Sequence, residues 1–224
     1  PPAAFLRLDN PKTAVLQYGR YRKRGDGMEL KGKVCLFLGD SITRGYGVSS
    51  GEGWVELLHR GKNINHGIDG DTTAGMLRRF SAHVVREQPE RVVIMGGVND
   101  LSEGEQLDAV IDRLQTMYDR AAMRGIAVVP AICVMPDYDM LLENDWAPYY
   151  PGIRTLPQNL EQLADWIRGY ARENGWLCLD FAREFPKYTS DGYQRYFSDG
   201  IHPNERGHAI MARIARPLLY PQAN

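Results

Sequence analysis

The sequence predicts a three-layer α/β/α domain built around a five-stranded parallel sheet. Three observations support this fold class. Short apolar runs, typical of strands buried on both faces, alternate with longer segments of helical periodicity. Polar and glycine-rich motifs follow several of these runs, where the loops at the carboxyl ends of parallel strands are expected. With 224 residues, 43% of them hydrophobic, the chain is long enough for one sizeable core and short for two domains.

Each predicted strand is a short run with apolar residues between polar or glycine-containing turns. In chain order the runs are VCLFL at 34–38, NIN at 63–65, RVVIM at 91–95, AVVPAICV at 127–134 and LCLDF at 177–181. The second is the weakest, because it contains a single apolar residue. Helical segments separate these runs, which is the pattern of parallel strands joined by crossover helices.

The predicted helices cover residues 54–60, 72–87, 105–124, 156–174 and 204–219. The third shows helical periodicity most clearly. Its apolar residues follow the i, i+3, i+4 spacing of one buried stripe: Leu107, Val110, Ile111, Leu114, Met117 and Tyr118. The last helix closes the domain.

Residues 1–27 are predicted to form an N-terminal extension, and residues 28–224 the domain itself. The first 27 residues are polar and lack a clear period, whereas Met28 leads into the first strong strand. No stretch approaches the roughly 18 apolar residues that span a bilayer, and the N-terminus has no apolar signal core. A cytoplasmic protein is expected; a signal peptide removed ahead of Pro1 would leave no trace in this sequence.

The formal net charge is −1 and the basic residues are scattered. The chain thus lacks the electrostatic footprint of a nucleic-acid or membrane-surface binder, and a small neutral or mildly charged molecule is the expected partner. Nothing in the sequence specifies an oligomeric state. Cys35, Cys133 and Cys178 lie in apolar segments and are expected to be buried free thiols. No cysteine or histidine cluster has zinc spacing, so neither a metal nor a cofactor is expected.

Two separate motifs supply the groups that a serine hydrolase needs. Ser41 follows the first strand in the motif Gly-Asp-Ser-Ile, and Asp199 and His202 stand three residues apart before the last helix. A serine hydroxyl becomes an effective nucleophile when an imidazole accepts its proton and a carboxylate holds the imidazole in the right tautomer. The sequence therefore predicts Ser41 as nucleophile, His202 as base and Asp199 as orienting acid. Asp100 is a rival for the last role, but the short spacing from His202 favours Asp199.

Acyl transfer also needs N–H donors aimed at the oxygen on which negative charge develops. Ser41 offers its own backbone N–H, Gly70 in the second loop offers another, and Asn99 in the third loop offers its side-chain amide. Ordinary structural roles are open to the same residues, since Ser41 suits a helix N-cap and Asn99 suits a turn. Their placement after successive strands favours an oxyanion hole.

Residues 135–157 interrupt the alternation of strands and helices. The segment holds four prolines and a group of aromatic residues: Tyr138, Trp146, Tyr149 and Tyr150. A loop this long in a compact domain is more often functional than idle. One interpretation is a partial lid or rim whose aromatic faces bind an acyl chain or a sugar ring; the other is an interface or packing excursion. These aromatic residues, with Asp40 beside the nucleophile, are the candidate substrate-binding residues.

Three other functions fit the sequence less well. Residues 69–73 match the D-x-D-x-T pattern of aspartyl-phosphate phosphatases, but the segment before them is polar where an apolar strand is needed. Glycines at 45, 47 and 51 imitate a dinucleotide fingerprint, yet they begin several residues after the strand ends. A non-catalytic binding protein is disfavoured because every residue type that the reaction needs is present. The remaining histidines are interpreted as surface or core residues: His59, His66, His83 and His208.

Four blocks in this order resemble the SGNH hydrolases, also called the GDSL esterase and lipase family. They are residues 39–43, 65–71, 97–100 and 199–203, and the resemblance spans about residues 33–217. It implies a flavodoxin-like fold, an acyl-enzyme mechanism on a small-molecule ester, and the roles given above for the catalytic and oxyanion-hole residues. The most similar subgroup is the small bacterial lysophospholipase and thioesterase I type, although the stretch before Asp199 is longer here. A carbohydrate O-acetylesterase is as compatible as a lysophospholipase or acyl thioesterase.

Overall fold

The computed structural model describes residues 34–221, which contain a parallel sheet of five strands. The strands are β1 (Val34–Gly39), β2 (Lys62–Gly67), β3 (Arg91–Met95), β4 (Ala127–Ile132) and β5 (Leu179–Asp180). Their order across the sheet is β2-β1-β3-β4-β5, and every neighbouring pair is parallel. This is the flavodoxin-like order, and the predicted fold class is confirmed.

Helices complete the three layers. They are α1 (Ser41–Arg44), α2 (Thr73–Phe80), α3 (Val98–Ser102), α4 (Leu107–Ala122), α5 (Tyr138–Leu142), α6 (Leu156–Asn174), α7 (Phe181–Glu184) and α8 (Glu205–Leu219). The predicted helices at 105–124, 156–174 and 204–219 correspond to α4, α6 and α8. The predicted helix at 72–87 is confirmed as α2, after which the chain continues as a π-helical turn over Ser81–Val85.

Helix α6 shows how local sequence sets the bounds of an element. Pro157 lies in its first turn, where a missing N–H costs no intrahelical hydrogen bond. The helix ends at Gly175, whose φ of 67° is the left-handed conformation that glycine adopts without strain. Between these ends Leu160, Leu163 and Ile167 form a buried stripe. The helix is therefore held by its glycine C-cap and by one apolar face packed on the core.

The register of β1 with its two neighbours brings three loops together. Gly39 at the end of β1 is paired with Gly67 at the end of β2 on one side and with Met95 at the end of β3 on the other. The three strands therefore end at the same level of the sheet. The loops that follow them begin side by side at this carboxyl edge, where ligands gather in folds of this class.

The prediction of a helix over residues 54–60 is wrong. Only a short 3₁₀ turn forms there, over Glu56–Leu58, and His59 ends it in a left-handed conformation. The apolar residues that suggested a helix instead pack into the core: Trp54 is fully buried, contacts the rings of Phe37 and Phe181, and donates its indole N–H to a backbone carbonyl. Tertiary packing has overridden the local pattern.

The segment 135–157 is more ordered than the long loop that its prolines suggested. It folds into α5 and a 3₁₀ turn over Ala147–Tyr149. Leu141, Ala147 and Ile153 are buried, so the segment is anchored to the body of the domain by its own apolar residues.

Two further expectations concern the ends and the cysteines. Residues 1–27 lie outside the described part of the chain, so the extension stays a prediction. Cys35 and Cys133 are buried free thiols, as expected, and burial raises the pKa of each to about 12, whereas Cys178 is free and half-buried.

Within residues 34–221 no helix combines the length and apolarity needed to cross a bilayer. The cytoplasmic location stays a prediction.

Candidate active site

A cavity of about 250 Å³ opens at the carboxyl edge of the sheet. It is lined by Asp40, Ser41, Ile42, Tyr46, Val98, Asn99, Ser102, Trp146, Tyr150, Asp199, Ile201 and His202. Most of the candidate residues chosen from the sequence are in this group. Gly70, Tyr138 and Tyr149 are candidates that do not line the cavity.

Ser41, His202 and Asp199 form a continuous hydrogen-bonded chain. Ser41 Oγ lies 3.0 Å from His202 Nε2, and His202 Nδ1 lies 2.7 Å from Asp199 Oδ2. The first of these contacts joins residues 161 positions apart in the chain. The geometry allows the imidazole to accept the serine proton at one nitrogen while the carboxylate holds its other nitrogen.

Asp199 is held in place by its own turn. Its Oδ1 accepts hydrogen bonds from the backbone N–H of Ile201 at 3.0 Å and of His202 at 2.8 Å. Burial acts to raise the pKa of the Asp199 carboxyl, but the hydrogen bonds from the His202 side chain and these two N–H groups hold the pKa below its ordinary value. The carboxylate is therefore ionised and fixed toward the imidazole.

The segment 135–157 packs directly against the turn that carries Asp199 and His202. Asp137 donates its backbone N–H to Gly200 O at 2.7 Å, and Asn144 donates its side-chain amide to Asp199 O at 2.8 Å. Gly200 has a φ of 86°, and a Cβ there would lie 2.4 Å from Leu141 N. Only glycine fits this close approach, so the aromatic segment supports the acid–base turn as well as bordering the cavity.

Asp40 precedes the serine and is almost fully buried. Its Oδ1 accepts from Ile42 N–H at 3.0 Å, which makes it the N-cap of α1. Burial raises the pKa of the Asp40 carboxyl to about 6, against the lowering effects of that N–H and of the nearby His202 side chain. Asp40 lines the cavity, but its hydrogen bond serves the turn that presents Ser41.

We expect Asp40→Asn to change how stability depends on pH. Folding raises the pKa of this carboxyl from 3.8 to about 6, so the folded protein binds the proton more tightly than the unfolded chain does. The resulting contribution to stability is complete below pH 3.8 and is lost as the pH rises through 6. Asparagine keeps the N-cap and does not titrate. Between about pH 4 and pH 7 the free energy of unfolding of the wild type should therefore fall by up to about 3 kcal/mol relative to the variant. Urea denaturation of both proteins across this range measures it; a difference that stays constant with pH would contradict the assignment.

Asn99 and Gly70 lie on adjacent loops. Asn99 Nδ2 donates to Asp71 O at 2.9 Å, which fixes the plane of the amide beside the cavity. Gly70 occupies an exposed turn, closed by a hydrogen bond from Asp71 N–H to Ile68 O, and has a φ of 67°. The two loops are thus joined, with Asn99 at the wall of the cavity and Gly70 one residue from the carbonyl that Asn99 contacts.

Asp100, the rival orienting acid, faces away from the imidazole. Its carboxylate accepts from the backbone N–H and the hydroxyl of Thr73 and from Arg113. It is 2% exposed and links α3 to the start of α2. Of these two acids, the structure places Asp199 beside His202.

Two of the four candidate aromatic residues line the cavity, and one aromatic lining residue was missed. Trp146 and Tyr150 contact each other edge to face at 5.6 Å between ring centroids. Tyr138 instead donates its hydroxyl to Ile153 O, and Tyr149 is 84% exposed. Tyr46 was not predicted: its ring packs on the His202 ring at 4.6 Å. The sequence could have indicated Tyr46 only by its position, five residues after the nucleophile and between two glycines.

The other histidines lack this environment. His208 is fully buried in the core, and burial lowers its pKa to about 4. His66 and His83 pack ring on ring at 4.4 Å outside the cavity. Across the part of the chain that the structure describes, no cluster of three or more histidine, cysteine or acidic side chains is arranged to hold a metal ion.

A serine, a histidine and an aspartate linked in this order at the edge of a parallel α/β/α sheet are characteristic of the serine hydrolases. Comparison with known proteins specifies the family. The model of the GDSL-like lipase/acylhydrolase family matches residues 37–210. The chain belongs to this family, and it is an ester-hydrolysing enzyme.

Similar proteins agree with this assignment. The acetylxylan esterase of Geobacillus stearothermophilus is 26% identical over 209 aligned positions, and the match covers 81% of this chain and 91% of that protein. The thioesterase 1/protease 1/lysophospholipase L1 of Escherichia coli K12 is 26% identical over 201 aligned positions, and the match covers 85% of each chain. The esterase TesA of Pseudomonas aeruginosa is 34% identical, over only 43% of this chain and 52% of its own length. The crystal structure of a lipolytic protein of the G-D-S-L family from Veillonella parvula has a TM-score of 0.69 at 26% identity, covering 84% of this chain and 98% of that one.

Proposed function

We propose that the protein is a serine esterase in which Ser41 is the nucleophile, His202 the general base and acid, and Asp199 the group that orients His202. The observation that carries this proposal is the chain of two contacts, 3.0 Å from Ser41 Oγ to His202 Nε2 and 2.7 Å from His202 Nδ1 to Asp199 Oδ2. Both distances are within the range of hydrogen bonds that serve proton transfer.

The reaction begins with attack of Ser41 Oγ on the ester carbonyl carbon. His202 Nε2 accepts the hydroxyl proton as the new C–O bond forms, and the carbonyl electrons move onto oxygen. When this tetrahedral intermediate collapses, His202 donates the proton to the departing alcohol and Ser41 is left acylated. Asp199 stabilises the imidazolium throughout, because its carboxylate stays ionised next to Nδ1–H.

Deacylation repeats the same steps with water. His202 Nε2 accepts a proton from the water molecule while the hydroxide adds to the acyl carbon, and the acid leaves as Ser41 recovers its proton. No redox step or external group is needed, since the three side chains supply both proton transfers. The products are a carboxylic acid and an alcohol.

The oxyanion hole in this proposal consists of Ser41 N–H, Gly70 N–H and the Asn99 amide. Ser41 is the first residue of α1, where backbone N–H groups have no intrahelical partner. The Asn99 amide is fixed at the cavity wall by its bond to Asp71 O, so it needs no reorganisation when charge develops. Gly70 lies in the adjacent turn, directly before Asp71, and its N–H is the second backbone donor of this proposal.

Asn99→Ala should lower kcat by about 10²–10³-fold, the usual cost of removing one preorganised oxyanion donor. KM should change little, because the donor acts mainly on the transition state. Steady-state kinetics on p-nitrophenyl acetate measure both constants. Asn174→Ala, which removes a similar amide-to-carbonyl bond at the far end of α6, is the matched control and should keep wild-type kcat. Wild-type turnover by Asn99→Ala would refute the oxyanion assignment.

The cavity favours a short acyl group on a larger alcohol. Its volume of about 250 Å³ is below the roughly 300–1,000 Å³ of pockets that enclose a whole drug-sized ligand. Tyr46, Trp146 and Tyr150 border its mouth, and Tyr46 and Tyr150 are 47% and 36% exposed. Such ring faces can stack on a sugar ring that remains partly outside. We therefore favour acetyl esters of carbohydrates, in line with the acetylxylan esterase relative.

A long-acyl thioester or lysophospholipid is the second candidate substrate. The similarity to the Escherichia coli thioesterase and lysophospholipase, over 85% of both chains, supports it. A long chain would have to extend from the cavity along the aromatic rim. The two candidates share the mechanism and differ only in what the rim contacts.

A substrate panel with one pair of variants tests the substrate class. The wild type should prefer acetylated xylo-oligosaccharides to palmitoyl-CoA and to lysophosphatidylcholine in kcat/KM. Tyr150→Ala should raise KM for the acetylated sugar by about three- to tenfold, the effect of an aromatic contact worth about 1 kcal/mol, and should change p-nitrophenyl acetate hydrolysis little. Tyr149→Ala is the control, since that neighbour is 84% exposed and outside the cavity. A preference for the long-acyl substrates would favour the second candidate.

A further inference from the structure

One guanidinium outside the cavity connects three of the elements that build the site. Arg79, near the end of α2, donates from Nη2 to Gly39 O at 2.9 Å and from Nη1 to His66 O at 2.8 Å. Its Nε donates to Asp71 Oδ2 at 2.7 Å. The side chains of Arg79 and Asp71 are only 13% and 11% exposed, so this ion pair is largely shielded from water.

Two of these partners, Gly39 and Asp71, lead to groups that the proposed reaction uses. Gly39 ends β1 two residues before Ser41. Asp71 follows Gly70 directly, and its carbonyl accepts the hydrogen bond that orients the Asn99 amide at 2.9 Å. The guanidinium therefore fixes the loop whose Asp71 carbonyl orients the Asn99 amide, and holds this loop against the strand that presents the nucleophile.

We propose that Arg79 is a positioning residue of the oxyanion hole. It does not line the cavity, so it acts on the reaction through Asp71 and Asn99 rather than by contact with the substrate. This inference rests on the proposed function, because it assigns Arg79 to the oxyanion hole proposed there. No part of it requires Arg79 to change its protonation state.

The chemistry of arginine suits this task better than that of any other side chain. Its planar guanidinium carries five N–H donors in a fixed arrangement, so one group can bond two carbonyls and a carboxylate in different directions. A lysine ammonium carries a similar charge without that fixed geometry. The remaining contact of Nη1, 3.3 Å from His83 Nδ1, further restrains the side chain.

The test is a double-mutant cycle with a matched control. Arg79→Met and Arg78→Met are made in the wild type and in Asn99→Ala, and kcat and KM are measured for p-nitrophenyl acetate. Arg78 is the preceding residue, in the same last turn of α2, and its side chain is exposed. Both variants remove one positive charge from the end of the helix, so general electrostatic effects cancel between them.

We expect Arg79→Met to lower kcat by about 10²-fold, with a small change in KM, because displacement of a catalytic donor by even about 1 Å has an effect of this size. In the Asn99→Ala protein the same substitution should cost less than about threefold, since the donor that it positions is already gone. Arg79→Lys should restore part of the lost activity. Arg78→Met should match the wild type in both settings.

The outcomes separate this inference from the function on which it rests. Equal losses from Arg79→Met in both backgrounds would show an effect that does not pass through Asn99, and would overturn the inference alone. Wild-type activity of Arg79→Met would do the same. If Asn99→Ala itself were fully active, the oxyanion assignment and the inference would fall together. Should Arg79→Met not fold, Asp71→Asn takes its place in the cycle. A loss of kcat in the protein that retains Asn99, but not in Asn99→Ala, supports the inference. An equal loss in both proteins, or no loss in either, overturns it.

Discussion

Ser41→Ala should abolish turnover, with kcat for a p-nitrophenyl ester falling by about 10⁶-fold, the scale seen when a catalytic serine is removed from another serine hydrolase. The reason is that no acyl-enzyme can form without Oγ, and His202 then has no attached nucleophile to deprotonate. The fold should be unaffected. Ser41 uses its hydroxyl for the contact with His202, while the N-cap of α1 is Asp40.

The same cavity contains a control for this substitution. Ser102 lines the cavity and is 4% exposed, and its Oγ has no hydrogen-bond partner among the described residues. Ser102→Ala should therefore keep activity of the same order as the wild type. Thermal melting of both variants checks the fold. If Ser41→Ala retained more than about a tenth of wild-type activity, or if Ser102→Ala were the inactive variant, the nucleophile would have been assigned to the wrong residue.

The proximity of Ser41, His202 and Asp199 could be expected from the sequence because short-range and long-range constraints agree. A three-residue turn lets Asp199 and His202 share hydrogen bonds locally, and parallel strands with matched ends bring their loops to one edge. The strand VCLFL is apolar throughout, which suits β1 to an interior position of the sheet, between β2 and β3. For these elements the local pattern and the tertiary structure select the same arrangement.

The parts that were not predicted depend on tertiary contacts. Trp54 lies in a window with helical spacing, yet it precedes the 3₁₀ turn over Glu56–Leu58 and its ring contacts Phe37 and Phe181, which are distant in the sequence. Arg79 makes its bonds to carbonyls as far as 40 residues away, so no motif marks it. In the aromatic segment the four rings look equivalent in sequence, and only folding decides that Trp146 faces the cavity and Tyr149 the solvent.

Contacts of Asn144 and Asp137 also show why the segment 135–157 cannot be classed simply as a lid or as packing. Its rings border the cavity, which fits the first interpretation, while Asn144 and Asp137 bond to the backbone of the acid–base turn, which fits the second. A segment that does both couples the shape of the rim to the position of His202. Substitutions that loosen its anchor at Leu141 should therefore disturb turnover as well as substrate selection.

Asp199→Asn should lower kcat by about 10⁴-fold, the cost of the corresponding substitution in another serine hydrolase. The structure gives the reason. Oδ1 accepts two backbone N–H groups, from Ile201 and His202, and Oδ2 bonds to His202 Nδ1. An asparagine that keeps its oxygen on the backbone donors must turn its NH₂ group toward Nδ1. The imidazole then accepts a bond at Nδ1 and carries its proton on Nε2, so it cannot take the proton of Ser41.

The same argument sets the control and the measurement. Asp137 caps α5 by accepting from Met140 N–H at 3.0 Å, and asparagine can do the same without reaching His202. Asp137→Asn should thus keep nearly full activity, while Asp199→Asn loses it at an unchanged melting temperature. Kinetics on p-nitrophenyl acetate with melting curves compare the two. A loss of activity of less than about tenfold in Asp199→Asn would contradict this assignment. Another group would then have to hold His202 in its tautomer. The role of Asp199 would be limited to its hydrogen bonds with the backbone N–H groups of Ile201 and His202.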